Sequence, residues 1–250
     1  MKKIDVYLKK EENFDIQKNN TICIGFFDGI HRAHQKIMQK TQQIAQENNE
    51  IFSVMTFNQK VSEFLAGQFH NLQSRKIKYR MLVDLFDPEF LFEIQVNENT
   101  IAVSKQDFID YLKNKLNVKH LVVGSDFTFG HYKEGRVEDL YEAFGKENVF
   151  VFSRIEKYSS SNLKQLLAEG KIELLNEKMG YIYKLDLKKI PEKANAFKIS
   201  KSKATIKDGF YRVIYNDVVC KVQFESNIAY FPDNFVSPSE ISIELVQRVN

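Results

Sequence analysis

Short apolar runs alternate with longer amphipathic segments through the N-terminal part of the chain. The apolar runs typical of strands lie at 3–8, 21–24, 51–57, 90–96, 120–124 and 148–153. Segments with apolar residues at helical spacing lie at 35–46, 74–86 and 104–116. Ser104 is the predicted N-cap of the third helix. Strands that alternate with helices predict an α/β fold with a parallel sheet, which binds ligands at the carboxyl ends of its strands.

The pattern changes after residue 153. Two short helical segments are predicted at 160–168 and 172–179, and each is followed by a glycine. The strand-like runs beyond them lie at 181–187, 205–206, 210–215, 218–224 and 241–246. Asp208-Gly209 and Asn216-Asp217 are typical of tight turns between such strands. We therefore predict two domains, 1–180 and 181–250, of which the second is small, β-rich and barrel-like.

The most informative stretch lies between the strand at 21–24 and the helix at 35–46. Its sequence is Gly25-Phe26-Phe27-Asp28-Gly29-Ile30-His31-Arg32-Ala33-His34, called the signature segment below. A strand, a glycine-bearing turn and a helix start can bind phosphate, because the first amides of a helix lack internal partners and its dipole adds positive potential. Gly25 and Gly29 let an anion approach the backbone. His31 and His34 are three residues apart, so on a helix both would lie on one face and reach the same phosphate oxygens.

The signature segment resembles the G-x-F-D-G-x-H-x-G-H motif of the bacterial bifunctional riboflavin kinase/FAD synthetase family, within the nucleotidyltransferases that carry His-x-Gly-His. Ala33 stands where the family has glycine. The resemblance implies a Rossmann-like nucleotidyltransferase sheet, with His31 and His34 as catalytic residues. The residues implied to contact the nucleotide are Gly25, Phe26, Phe27, Asp28 and Gly29. For Asp28 we favour a role in shaping the turn over a role as a base.

A second segment, 122–130, resembles the family's V-V-G-x-[DN]-F-x-F-G sequence, which lines the flavin site. The resemblance implies that Asp126 hydrogen-bonds the flavin and that Phe129 lies against its ring. These residue types suit a flat aromatic ligand, which needs an aromatic wall and a polar group that fixes its orientation. Phe127 is interpreted as a core residue.

A third segment, 158–164, resembles the family's I-S-S-T-x-I-R sequence. Hydroxyl groups ahead of a helix can cap it or bind an oxyanion, and Ser160 and Ser161 are the implied nucleotide contacts. Lys164 stands where the family has arginine. It keeps the positive charge but cannot bind phosphate through two parallel hydrogen bonds. We assign Lys164 a catalytic role as a phosphate contact.

Two family features are absent. The family's x-P-H-P sequence after the strand at 51–57 is replaced by Asn58-Gln59-Lys60-Val61, in which Asn58 is the predicted flavin contact. The riboflavin kinase motif G-x-P-T-A-N does not occur between 181 and 250. We therefore predict that the C-terminal domain is a shortened riboflavin-kinase-like module without kinase activity.

The resemblance implies an FMN adenylyltransferase, which transfers AMP from ATP to FMN and releases FAD and pyrophosphate. The FMN phosphate is largely a dianion near neutral pH, because its second pKa is about 6, so no general base is needed. The enzyme has to position two anions and stabilise charge on the α-phosphate and on pyrophosphate. Mg²⁺ is expected to accompany ATP, held mostly by phosphate and water, with unknown protein ligands.

Two other functions remain open from the residues. The chain could be another His-x-Gly-His nucleotidyltransferase, acting on pantetheine phosphate, nicotinamide mononucleotide or a cytidylyl acceptor. It could also be a flavin- or nucleotide-binding protein whose catalytic activity has decayed. Binding without turnover would distinguish this second alternative.

The net charge and the hydropathy of the chain limit the classes of partner that the sequence indicates. The net charge is +3, from 36 basic and 33 acidic residues, which does not indicate a nucleic-acid partner. The N-terminal residues MKKIDVYLKK lack the apolar centre of a signal peptide, and no apolar run approaches membrane-spanning length. We predict a cytoplasmic protein with small-molecule substrates and no membrane partner. The sequence does not indicate the oligomeric state.

Overall fold

The computed structural model describes residues 1–9, 14, 16–67, 71–153, 159–191, 193, 195–200, 204–233, 235–236 and 238–249. These residues group by their contacts into two units. The first unit contains the described residues within 1–27, 33–68 and 82–154, and the second contains those within 28–32, 69–81 and 155–250. The division into domains at residue 180 stays a prediction.

A parallel sheet forms the centre of the first unit. Its strands are β1 (Lys2–Val6), β2 (Asn20–Ile24), β3 (Ile51–Phe57), β4 (Phe90–Ile94), β5 (Val118–Gly124) and β6 (Val149–Phe152). They lie in the order β1-β4-β3-β2-β5-β6, and every neighbouring pair is parallel. All five residues of β2 are buried, which explains its apolar sequence. The predicted parallel α/β sheet is therefore confirmed.

The helices agree with the periodic segments and add shorter ones. Their bounds are α1 (Arg32–Asn48), α2 (Val61–Ala66), α3 (Arg75–Leu85), α4 (Glu98–Ile101), α5 (Lys105–Asp110), α6 (Val137–Phe144), α7 (Ser160–Glu169) and α8 (Ile172–Met179). A wider helical turn, Tyr111–Lys115, continues α5. The hydroxyl of Ser104 accepts a hydrogen bond from the amide of Asp107 at 3.0 Å, which confirms the predicted N-cap. The sequence analysis missed α2, α4 and α6, which have at most eight residues each and so show little of a helical period.

The second unit contains a closed antiparallel barrel. Its strands are β7 (Tyr183–Lys189), β8 (Ala196–Ile199), β9 (Gly209–Tyr215), β10 (Val218–Glu225), β11 (Ile228–Tyr230) and β12 (Glu240–Val249). Their order around the barrel is β10-β11-β8-β7-β12-β9. Alternate residues of β7 are buried, namely Tyr183, Leu185 and Leu187. They share one apolar core with residues of α7 and α8. The predicted barrel-like C-terminal fold is confirmed.

One predicted tail strand is wrong and one predicted turn is confirmed. Residues 204–207 form no strand. Ile206 is apolar because its side chain packs into the barrel core, while its amide donates to the side-chain oxygen of Asn227 at 2.9 Å. Asn216 and Asp217 both have positive φ, at 48° and 62°, and connect β9 to β10 as a tight hairpin turn.

Candidate active site

The predicted site residues belong to both units. In the first unit, the signature segment begins where β2 ends. The amide of Gly25 donates to the Met55 carbonyl at 3.1 Å, and the hydroxyl of Thr56 donates to the Phe26 carbonyl at 3.0 Å. A Cβ at Gly25 would lie 2.8 Å from the ring of Phe27. Only glycine therefore lets the Phe27 ring pack against the backbone here.

Asp28 is the central side chain of the signature segment in the second unit. Its buried carboxylate accepts hydrogen bonds from the amide of Leu72, at 2.9 Å to each oxygen, and from the amide of Gln73 at 3.4 Å. The ammonium group of Lys164 lies 3.6 Å from the same carboxylate. A buried carboxylate with these partners fixes the turn to a distant part of the chain. This placement agrees with a turn-shaping role for Asp28.

Gly29 allows the turn to pack tightly. Its φ is +78°, and a Cβ at this position would lie 2.7 Å from a methyl carbon of Leu72. The carbonyl of Gly29 accepts a hydrogen bond from the Tyr181 hydroxyl at 2.5 Å. At the start of α1, the side chain of Arg32 donates to the Glu177 carbonyl at 2.7 Å. Backbone conformation, packing and hydrogen bonds thus hold residues 28–32 in one arrangement.

His31 is the residue before α1, and its side chain is only 4 % exposed. Burial lowers the pKa of His31 from 6.5 to about 4, against a smaller opposing effect of a hydrogen bond to its own backbone. The imidazole is therefore neutral at pH 7. A neutral imidazole still carries one N–H group, so His31 can donate a hydrogen bond to phosphate without bringing a charge.

His34 lies in the first unit, as the third residue of α1. Its ring meets the Phe27 ring edge-on, with 5.3 Å between centroids and 82° between planes. The prediction that His31 and His34 share one face of a helix is wrong, because α1 begins at Arg32 and leaves His31 outside it. The catalytic roles of the two histidines stay predictions.

Acidification should destabilise the protein through His31. An unfolded chain binds a proton at this histidine near pH 6.5, whereas the folded chain does so near pH 4. Between these values the unfolded state holds more protons, so the free energy of unfolding falls with the pH, by about 3 kcal/mol in total. Urea midpoints measured across this window should fall more steeply for wild type than for His31→Gln. Parallel curves would contradict the assigned burial of His31.

Helix α7 carries the other predicted phosphate contacts, also in the second unit. The hydroxyl of Ser159 caps the helix by accepting from the Asn162 amide at 3.2 Å. Ser160 and Ser161 are the first two residues of the helix, half-buried and exposed respectively. Tyr158 lies outside the described residues. The ion pair between Lys164 and Asp28 connects this helix to the signature segment. Spacing along the sequence does not predict this contact.

The predicted flavin segment lies in the first unit. Asp126 is exposed, two residues beyond the end of β5. Phe129 is buried between Phe108 and Phe127, with ring centroids 5.2 Å and 5.7 Å away. Phe127 is only half-buried. Phe129 therefore lies in the core and Phe127 packs against that core, and the contact of Phe129 with flavin stays a prediction.

Both the nitrogen and the oxygen of the Asn58 side-chain amide form hydrogen bonds. Its nitrogen donates to the side chain of Gln95 at 3.0 Å, and its oxygen accepts from the amide of Val96 at 2.9 Å. The side chain of Gln59 also donates, to the Val96 carbonyl at 3.3 Å. The loops after β3 and β4 are therefore joined by hydrogen bonds. Gln95 and Val96 were missed by the sequence analysis, because their link to Asn58 crosses between strands.

The described residues lack two further features. They contain no group of three or more His, Cys, Asp or Glu side chains arranged to hold a metal ion. Within the same parts of the chain, none of the helices combines the length and the apolar character needed to cross a bilayer.

The family match and the similar curated proteins indicate the same family. The FAD synthetase family matches residues 13–165. The bifunctional riboflavin kinase/FMN adenylyltransferase of Bacillus subtilis (strain 168) is 31% identical over 185 residues, which cover 71% of this chain and 57% of that protein. The protein of the same name from Escherichia coli (strain K12) is 29% identical over 175 residues, covering 66% and 55% respectively. The chain thus spans about half the length of the curated relatives it matches.

A solved structure supports the fold. The macrolide-efflux protein from Streptococcus pneumoniae superposes with a TM-score of 0.79 over 99% of this chain and 90% of that chain. The two sequences are 18% identical, so this likeness concerns the fold alone. Family membership rests on the sequence match, which covers more than half of the chain and includes the signature segment and Lys164. The chain belongs to the FAD synthetase family.

Proposed function

We propose that this chain is an FMN adenylyltransferase, which uses ATP to convert FMN to FAD and pyrophosphate. The observation that carries the proposal is the arrangement around Asp28. Its carboxylate fixes the signature turn ahead of α1 and lies 3.6 Å from the ammonium group of Lys164. A fixed turn before a helix start, with a cation beside it, suits a triphosphate. Membership of the FAD synthetase family supports ATP and FMN as the substrates.

The proposed reaction is a single displacement at the α-phosphorus of ATP. An oxygen of the FMN phosphate forms a bond to this phosphorus, and the bond from phosphorus to the pyrophosphate oxygen breaks. The leaving group takes the electron pair of the broken bond. The nucleophile is already an anion, so catalysis consists of positioning and charge stabilisation.

We assign phosphate contacts to residues of the signature segment and of α7. His31 donates a hydrogen bond as a neutral imidazole, because its pKa is about 4. Lys164 supplies positive charge, and Ser160 and Ser161 supply hydroxyl groups at the start of α7. His34, which lies in the first unit, stays a predicted catalytic residue of the signature segment. Hydrogen bonds and charges that act on the phosphoryl oxygens stabilise the charge that develops during transfer.

Mg²⁺ belongs to the proposal as the partner of ATP. The described residues offer no cluster of three His, Cys, Asp or Glu side chains for a resident metal. We propose an ion held largely by phosphate oxygens and water, as is usual for Mg²⁺ with nucleotides. Bound there, the ion neutralises phosphate charge.

The flavin contacts are proposed for the first unit. Asp126 is exposed beyond the end of β5 and can accept hydrogen bonds from the flavin ring. Asn58 is held by Gln95 and Val96, which gives it a defined position beside β3. Phe129 is buried against Phe127, so we propose that the two rings support the flavin as a stacked pair.

Chromatography of a mixture of protein, FMN, ATP and Mg²⁺ tests this function, and it should show FAD. Nicotinamide mononucleotide and pantetheine phosphate serve as competing acceptors in matched reactions. Adenylylation of one of these in place of FMN would assign the chain to another nucleotidyltransferase reaction. Binding of FMN and ATP without any product would show a protein that has lost catalysis.

Riboflavin should not be phosphorylated by this chain. The barrel strands β7–β12 lie in a stretch without the sequence G-x-P-T-A-N. We propose that this part of the chain is a riboflavin-kinase-like module with a structural role. Riboflavin with ATP and Mg²⁺ should give no FMN under conditions in which FMN gives FAD. Steady formation of FMN from riboflavin would contradict this assignment.

The cellular setting follows from the substrates. We propose a cytoplasmic enzyme that acts on ATP and FMN, and we propose no nucleic-acid or membrane partner.

A further inference from the structure

The C-terminal part of the chain contacts the signature segment at several points. Within the second unit, Lys164 lies 3.6 Å from Asp28, and the carbonyl of Glu177 accepts a hydrogen bond from Arg32. The hydroxyl of Tyr181, just ahead of the barrel strand β7, donates to the carbonyl of Gly29. None of the family motifs recognised in the sequence includes Tyr181.

We infer that Tyr181, together with Gln73, is a positioning residue that holds the signature turn in the conformation needed for adenylyl transfer. The barrel region would then contribute to catalysis through its contacts with this turn. The inference rests on the proposed function, because it concerns the same turn and the same reaction.

Gln73 determines where the Tyr181 hydroxyl lies. The side-chain oxygen of Gln73 is 2.8 Å from that hydroxyl, and its nitrogen donates to the Lys184 carbonyl of β7 at 3.0 Å. Tyr181 has one phenol proton, which lies between the Gly29 carbonyl and the oxygen of the buried Gln73 side chain, so both acceptors hold the hydroxyl away from water. Burial raises the pKa of Tyr181 well above its usual value, which keeps the phenol protonated as a donor.

Gly29 is fixed from two sides. Asp28, immediately before it, accepts from the amides of Leu72 and Gln73. Tyr181 binds the Gly29 carbonyl itself. The positive φ of Gly29 and its close packing against Leu72 leave little room for another arrangement. Because His31 follows two residues later, a shift of the Gly29 peptide would move the imidazole that we assign to phosphate.

The test compares Tyr181→Phe with Tyr211→Phe. Each substitution removes one phenol hydroxyl that donates to a backbone carbonyl in the second unit, but Tyr211 binds the Lys207 carbonyl at 2.6 Å within the barrel. The expected result for Tyr181→Phe is about a tenfold lower kcat for FAD formation, with the Kd for FMN unchanged. Hydrogen exchange of the amides in residues 28–32 should be faster in this variant. Tyr211→Phe should match wild type in kcat and in exchange at 28–32, whatever it does to the melting temperature.

Three results would overturn the inference: wild-type kcat in Tyr181→Phe, an equal loss of kcat in both variants, or unchanged exchange at 28–32 in Tyr181→Phe. If that variant does not fold, Gln73→Met takes its place with the same expected direction. A wild-type protein that forms no FAD would instead contradict the proposed function, and hydrogen exchange alone would then decide whether Tyr181 fixes the turn.

Discussion

Replacing His31 by alanine should lower kcat for FAD formation by about a hundredfold to a thousandfold, the usual cost of removing one hydrogen-bond donor from a developing charge. His31 precedes α1 and is neutral at pH 7, so its contribution is one directed N–H group. The Kd for FMN should change little, because the proposed flavin contacts lie on other residues. Quenched reactions give kcat for FAD formation, and flavin fluorescence gives the Kd for FMN. The two effects are thereby measured separately.

His31→Gln provides the matched control for this experiment. Glutamine keeps an N–H donor on a side chain of similar reach, so it should retain more activity than alanine. Both variants need a melting temperature that shows a folded protein at the assay temperature, since His31 is buried. Turnover at the wild-type rate in His31→Ala would contradict the assigned role.

The second large effect is expected from replacing Asp28 by asparagine, which should destabilise the protein. Both carboxylate oxygens accept from the Leu72 amide, and an asparagine would turn an NH₂ group towards that donor. The substitution also removes the negative charge beside Lys164. Because Asp28 is buried, we expect the free energy of unfolding to fall by about 2–4 kcal/mol and the urea midpoint to fall with it. FAD formation should fall as well, since the carboxylate fixes the signature turn.

An exposed ion pair in the same unit is the control for Asp28→Asn. Glu169 lies 2.7 Å from Lys171; the Lys171 side chain is exposed and that of Glu169 is partly exposed. Glu169→Gln should leave the urea midpoint and FAD formation unchanged, because an exposed pair contributes little to stability. Equal midpoints for Asp28→Asn and wild type would show that the carboxylate does not fix the turn.

The sequence was sufficient to predict the strands and helices that have a clear pattern of apolar residues. The run at 51–57 became β3 with the same bounds because all but the last of its residues are buried in the parallel sheet. The segment at 172–179 became α8 between Lys171 and a glycine with positive φ, which ends the helix. In both places local pattern and tertiary burial favour the same structure.

The contacts that shape the site could not be predicted in this way. Asp28 binds the amide of Leu72, which is 44 positions away and carries no polar side chain to mark it. The pairing of Phe129 with Gly135 turns that ring into the core and leaves Phe127 half-buried, although both aromatics have the same local pattern. The neutral state of His31 depends on burial, which residue spacing does not determine. Each of these features arises from the folded chain as a whole.

Transfer of label from ATP to FAD tests the proposed reaction most directly. The protein is mixed with FMN, Mg²⁺ and ATP labelled at the α-phosphate, and the label is followed by chromatography. The displacement proposed for this chain predicts that the label appears in FAD, with one pyrophosphate released for each FAD formed. Label that stays in ATP while the protein holds FMN would contradict it.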